Sequence, residues 1–309
     1  MMVEMYRTSD SENDTVPPGV WEVQLPNGTI LDTTGTKTQG LQEAINYACE
    51  HGRPLRVYGG QVKHSNGQNP AIIMCTAPLV FPPLELANIE IDATLNFCGP
   101  NPQPIAVSVD SVMASRVIWT GQIVCASGWG CGINFKPRTE LPCDQNGPVI
   151  TASTIHLPSV VMVGAGTCIH FDATLGSISG NLFEILEPNG GTVGIKVTTS
   201  ATRIFDHNHL LVRECHGQPS CIVAGNLAHG ATVFGNTWNV SLMPLSVGAE
   251  IFGHNEHWII SIDDREGTPA CGFTLNPGAA HNIIDVLMND AANKINNASG
   301  NFLNSIRMP

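Results

Sequence analysis

Ile204-Phe205-Asp206-His207-Asn208-His209-Leu210-Leu211-Val212 is answered further along by Ile251-Phe252-Gly253-His254-Asn255-Glu256-His257-Trp258-Ile259-Ile260. A weaker copy, Val233-Phe234-Gly235-Asn236-Thr237-Trp238-Asn239-Val240, lies between them. The copies start 29 and then 18 residues apart. Self-similarity at such steps marks a solenoid, a propeller or an array. Each copy is rich in β-branched and aromatic residues and bends at Gly or Asn, so it reads as strand, not helix pair. Parallel strands stacked along one axis follow.

Composition agrees. Charged residues make up 13% of the 309, about half the usual quarter. Gly and Pro number 31 and 21, enough to punctuate many short strands. A net charge of −12 gives no basic footprint for nucleic acid. It also argues against a strongly polyanionic polymer unless a metal intervenes. The first residues lack the apolar stretch of a signal peptide, and no run of about 18 apolar residues predicts a membrane span. The ten cysteines contain no Cys-x-x-Cys and read as reduced, buried thiols. Cys125, Cys131 and Cys143 do not match the spacing of a structural zinc site.

Outside the repeats, residues 1–20 read as a flexible or docking arm. A helix is expected over 38–51, with Thr38 as N-cap, Leu41, Ala44, Ile45 and Ala48 on one face, and Gly52 as the stop. Short strands are expected at 71–75, 89–95, 116–124, 149–156, 159–163, 168–172, 182–186, 193–197, 210–214, 221–224, 233–240, 251–262, 272–275 and 283–288. Residues 98–148 look irregular, and 289–309 read as a C-terminal cap or swapped tail. The units are therefore an arm at 1–20, a helix-bearing cap at 21–69, the strand stack at 70–288 and the tail.

Gly35-x-x-Thr38-x-x-Leu41-Gln42-x-Ala44-Ile45-x-x-Ala48, followed by a glycine and the apolar strand before Gly59-Gly60, resembles the opening of the pectate-lyase superfamily. Phage tailspikes and other carbohydrate-active proteins share that opening. About 30 residues carry the resemblance directly. It implies an all-β, single-stranded, right-handed parallel β-helix with an N-terminal capping α-helix. The helix would cover apolar side chains and unpaired edges at the end of the solenoid. Homotrimers on a virion are what the resemblance implies for assembly. The fold alone leaves activity open.

Candidate chemistry is sorted by what recurs. Asn208, Asn236 and Asn255 recur and read as a hydrogen-bonding ladder. His207 and His254 recur and read as structural. Asp206 stands where the other copies have Gly235 and Gly253, so it is a candidate catalytic acid. Neighbours in a strand face opposite ways, so Asp206 and His207 are not expected to form a pair. His207 and His209 share a face but lack a third metal ligand. Glu214, Asp263 and Asp264 complete the candidate acids, because glycan hydrolysis needs two carboxyls within about 5–9.5 Å and stacked strands lie about 4.8 Å apart. His207, Arg213, Trp238, Trp258 and Arg265 are the candidate substrate contacts, with core packing as the alternative for both tryptophans. No organic cofactor is implied, and a calcium ion on Asp263, Asp264 and Glu266 is an alternative to a plain turn.

The expected function is polysaccharide binding with glycosidic cleavage, by hydrolysis or elimination. A non-catalytic virion spike, fibre or decoration protein is the first rival, and an intracellular sugar epimerase or transferase the second. A virion or cytoplasmic location fits the absence of an export signal.

Overall fold

The computed structural model describes residues 1–8, 20–59, 72–99, 102–144, 147–263, 271–288, 294–295 and 300–307. Among these described residues it is an all-β architecture with one α-helix and three sheets, here A, B and C. From residue 84 the chain visits the sheets in a fixed order. Leu84–Glu85 lies in sheet C, Asn88–Ile91 in A and Val107–Val109 in B. Val112–Met113 then returns to C, and Arg116–Trp119 to A. Each strand pairs in parallel with the strand one circuit before and after it. These stacked parallel strands are compatible with the expected β-helix. Among the described residues no helix is long and apolar enough to cross a membrane.

The helix spans Leu41–Glu50 and buries Leu41, Ala44, Ile45 and Ala48, the four residues of the expected face. Its N-cap is Gly40 in the left-handed region at φ 92°, not Thr38. A Cβ at Gly40 would also strike Thr33, 2.5 Å away. Thr38 still serves the first turn, because its hydroxyl accepts the Gln42 N–H at 3.2 Å. The expected arm is corrected in part. Val3–Thr8 pairs antiparallel with Val20–Gln24 and parallel with Leu55–Val57, with Val3 and Met5 buried. Residues 9–19 lie outside the described set. The stretch 98–148 proves regular where it is described: it holds five strands distributed over all three sheets. In the tail, Phe302–Arg307 continues sheet A.

A buried ladder ties the circuits together at the turn from C to A. Ser115 Oγ accepts the Ala87 N–H, Ser153 Oγ that of Ser115, and Asn181 Oδ1 that of Ser153. Asn208 Oδ1 then accepts the Asn181 N–H and Asn236 Oδ1 the Asn208 N–H. After Asn236 the ladder position is held by Glu256, then Asn282 and Asn301. Unpaired buried amides are costly, so these side chains fix which residues stack.

The residue before each ladder position is left-handed. Leu86, Ala114, Ala152, Gly180, His207, Gly235, Asn255, His281 and Gly300 have φ between 47° and 69°. This corrects the alignment read from the repeated phrase. Asp206 pairs with Phe234, and Phe234 with His254, so Asp206 does not stand opposite Gly235 and Gly253. His207 matches Gly235 and Asn255 as corner residues, and Asn255 is outside the ladder. The steps from Asn208 to Asn236 and from there to Glu256 are 28 and 20 residues. Letter matching had aligned a corner residue in one copy with a strand residue in another.

A left-handed conformation costs most L-residues about 1–2 kcal/mol, and glycine very little. Leu86 pays that cost while 77% exposed. Leu86→Gly is therefore expected to raise stability by about 0.5–1 kcal/mol after its larger unfolded-state entropy is allowed for. Chemical denaturation measures it, and a loss of stability would show that the Leu86 side chain contributes more than its backbone costs.

Inside, aromatic rings run from circuit to circuit. Phe135 stacks on Phe171 at 5.2 Å, Phe171 meets Phe205 at 5.4 Å, and Phe205 meets Trp238 at 6.2 Å. Trp238 and Trp258 lie parallel at 4.5 Å. Sheet A strands also bend in mid-length. Leu186 and Glu187 are not buried, between buried Ile185 and Pro188, and Arg213 and Glu214 repeat the pattern one circuit later. The strand Thr237–Met243 has simple alternation from Trp238 to Leu242 instead, which leaves an irregularity opposite Val212 and Cys215.

Candidate functional site

A hollow lies at the bend in sheet A. A depression of about 190 Å³ crosses four successive circuits, lined by Ile118 and Thr120, His156 and Pro158, Glu184 and Leu186, and Arg213. One imidazole–carboxylate pair lines it, and a second lies further along the same strands. His156 Nδ1 lies 2.6 Å from Glu184 Oε2. His216 Nε2 lies 2.5 Å from Glu187 Oε1, and Asn189 donates to the same oxygen at 3.1 Å. Both glutamates come from the strand Leu182–Gly190; their partners come from the strands on either side. Burial by itself would push the Glu187 carboxyl up, but its hydrogen bonds, led by that from His216, hold it below the usual glutamate range. Glu187 is therefore ionised at neutral pH. All four groups remain partly exposed.

Of the residues singled out from sequence, Arg213 lines this depression and Glu214 follows it on the same strand, partly exposed. Asp206 closes the sheet C strand Phe205–Asp206, just before the C-to-A turn that leads into the sheet A strand His209–His216. Its carboxyl is buried, and Oδ2 accepts from His207 Nδ1 at 2.6 Å. The pair that strand alternation argued against thus exists. The left-handed backbone of His207 swings its ring to the same side as Asp206. Gly235 leaves room for that ring, since a Cβ there would sit 3.3 Å from His207 Nε2. The exposed imidazole meets Phe234 edge-on at 5.8 Å, and Phe234 meets His254 at 5.3 Å.

The expected pairing of acids across circuits does not form around Asp206. Asp263 follows the strand His257–Ile262, at the end away from His254. At about 3.3 Å per residue, some 20 Å of strand separates it from the Asp206 corner. Glu214 is comparably far along its own strand. Asp264, Arg265 and Glu266 lie outside the described residues. Trp238 and Trp258 are fully buried, with both indole N–H groups donated to Glu256, so neither is a sugar platform. Trp119 and Trp129 are buried too. Among the described residues no three His, Cys, Asp or Glu side chains gather as metal ligands, and His207 and His209 form no such site.

Glu184, Glu187, His156 and His216 went unread in sequence. Their signal is circuit length. His156 and Glu184 pair 28 residues apart in the strand register, and Glu187 and His216 bond at a separation of 29. A 28-residue offset, applied to every acid and histidine, brings out the first pair directly and the second to within a residue. No protein-family model matches the chain, and no curated protein or solved structure matches it either.

Proposed function

We propose that the chain is a right-handed parallel β-helix of the pectate-lyase and tailspike kind, which binds a polysaccharide along sheet A and hydrolyses it at the depression. The observation carrying this reading is the placement of Glu184 in the lining of a hollow that spans four circuits, with a second, differently held carboxyl, Glu187, next to Leu186 of that lining. Glu187, kept ionised, takes a proton from water as the water oxygen bonds to the anomeric carbon. The His156–Glu184 pair supplies the proton that the departing glycosidic oxygen takes up. The two glutamates are three residues apart, about 10 Å of strand, more than the roughly 5–5.5 Å between the carboxyls of a retaining pair. Arg213 and Glu214 bind sugar hydroxyls at the same bend. Asp206, His207 and Asp263 lie too far away to act on the same bond.

Glu187→Gln is expected to lower kcat about a thousandfold, within the usual range for a lost acid or base. Release of reducing ends from capsular and cell-wall glycans measures it. Full activity in that variant, with activity lost in Asp206→Asn, would move the site to the C-to-A corner.

A non-catalytic virion spike is the second reading. It is favoured by Ile283 and Phe302, exposed apolar neighbours in one row of sheet A, whose earlier positions are Leu182, His209, Thr237 and His257. Exposed apolar side chains at the end of a sheet pair with copies of themselves, and a homotrimer is the assembly we propose under either reading.

A further inference from the structure

The passage from sheet B to sheet C is short in the circuits on either side of one long excursion. Residues 110–111 make it between Val107–Val109 and Val112–Met113, and residues 174–176 between Thr167–Ala173 and Ser177–Ser179. Between Cys131–Phe135 and Val149–Thr151 the chain spends residues 136–148. The coil does not need that length, and loops carried by a rigid scaffold are where binding groups collect. The excursion is nonetheless pinned. The Asp110 carboxylate accepts from the Thr139 hydroxyl at 2.8 Å and from the backbone N–H groups of Arg138 and Thr139 at 2.7 and 3.1 Å. Leu141 is buried, and the Asp144 N–H donates to its carbonyl at 3.0 Å. Pro142 and Cys143 form the middle of that turn, with proline at the position that favours it.

The turn delivers Cys143 to the outer side of sheet C. Its Sγ lies 3.0 Å from Met113 Sδ. Met113 stands opposite Glu85 of the neighbouring strand, and the Glu85 carboxylate accepts from the same thiol, which raises the Cys143 pKa. Glu85 has no basic side chain within ion-pair distance among the described residues. Cys143 also differs from the cysteines near it in sequence, because Cys125 and Cys131 are buried and Cys143 is exposed. A thiol kept for packing belongs inside, and an exposed one is open to oxidation. A thioether is only a weak hydrogen-bond acceptor, so the contact between the two sulfurs does little for stability.

Three donor groups from three segments, two of them sulfur, suit a soft metal ion. Thiolate and thioether together select Cu(I), whereas a structural zinc site takes four ligands from Cys, His, Asp and Glu. Only two residues of that set stand here. We infer that Cys143, Met113 and Glu85 form a binding site for a soft monovalent metal ion, of which Cu(I) is the type. The Cys143 thiolate and the Met113 thioether hold the ion, and Glu85 sets a negative charge beside it. Binding exchanges one ion for one proton. The Cys143 S–H bond breaks, a sulfur–copper bond forms, and the proton leaves to solvent; copper keeps its oxidation state. With metal–sulfur bonds of roughly 2.3 Å the two sulfurs part to about 4 Å. The partly exposed Met113 side chain has the rotatable bonds for that movement. This site does not rest on the polysaccharide reading.

The test is an anaerobic titration of the reduced full chain with Cu(I) against the competitor bicinchoninate, in wild type, Cys143→Ser, Met113→Leu and Cys98→Ser. Cys98 is also exposed and controls for binding by any accessible thiol. Even groups that only support metal ligands are worth about 10–100-fold in affinity. The expected result is one Cu(I) per chain held against the competitor, weakened about tenfold or more by Met113→Leu and about a hundredfold or more by Cys143→Ser. Cys98→Ser is expected to bind as wild type does. Neither Met113 nor Cys143 is buried, so circular dichroism is expected to show both variants folded. Absence of competitor-resistant copper, or equal weakening in Cys98→Ser, would overturn the proposal. So would unchanged binding in Cys143→Ser, and unchanged binding in Met113→Leu would reduce the site to a single surface thiol.

Discussion

Asn208→Leu is expected to destabilise the protein by about 4 kcal/mol. Asn208 is fully buried, and leucine keeps its branching at Cγ while removing both polar atoms. The amide oxygen accepts from both Asn181 N and Asn181 Nδ2, at 3.1 and 3.0 Å. Its Nδ2 donates to the Ile178 carbonyl and to Asn236 Oδ1. Leucine leaves the Asn181 N–H and the Ile178 carbonyl without these partners, at about 1–3 kcal/mol for each buried group. The comparison that makes the result specific is Asn255→Gly. Asn255 is the asparagine that the repeated phrase equates with Asn208, yet it is an exposed corner residue at φ 51°. Glycine suits that backbone, so the change is expected to stay within about 1 kcal/mol of wild type. Guanidinium unfolding of the two variants measures both values. Similar losses in the two would mean that the ladder does not hold the circuits in the observed register.

Wild type is expected to lose about 3 kcal/mol of stability relative to Glu256→Gln as pH rises from about 4.5 to 7. Glu256 occupies an asparagine position in the ladder. Its Oε1 accepts from Asn236 Nδ2 at 3.0 Å and from Trp238 Nε1 at 3.2 Å, and its Oε2 from Trp258 Nε1 at 3.1 Å. Burial raises the carboxyl pKa from 4.5 to about 7, against the lowering effect of these three bonds. A group raised on folding binds more protons in the native state. Its contribution is complete below the unfolded pKa and disappears as pH passes the folded one. The difference corresponds to about 3 kcal/mol. Glutamine carries no charge, so the slope goes, but its amide N–H₂ faces one indole N–H. The variant is therefore expected to be about 1–3 kcal/mol less stable than wild type at pH 4.5. His170, whose pKa burial lowers to about 4, acts in the opposite sense within the same window, and Asp110, Asp172 and Glu187, which folding holds low, do so at lower pH, so the comparison is read as wild type minus variant. A wild-type-minus-variant difference that stays flat from pH 4.5 to 7.5 would show that Glu256 does not titrate in this window.

The strand character, the capping helix and the asparagine ladder are legible in the sequence because each leaves a local mark. Turn residues recur, Leu41, Ala44, Ile45 and Ala48 fall at helical spacing, and Asn208 and Asn236 return. Register is not legible in the same way. The corner tolerates His207, Gly235 and Asn255 alike, so chemical similarity there misleads. Glu256 replaces an asparagine at a buried step, and no local pattern distinguishes it from a solvated acid. The Asp206–His207 pair is hidden for a related reason, since strand alternation fails where the backbone turns left-handed. The sheet A site is assembled from residues a whole circuit apart. Its carboxyls become readable only once the 28-residue step replaces the phrase-matched one.

The most direct measurement of the central claim is a crystal structure of Glu187→Gln bound to a fragment of whichever glycan the wild type degrades. The account predicts sugar rings lying across Leu186 and Arg213, with a glycosidic oxygen held between Glu184 and residue 187. A fragment seated on the Asp206–His207 corner or on sheet B, with the sheet A depression empty, would contradict it.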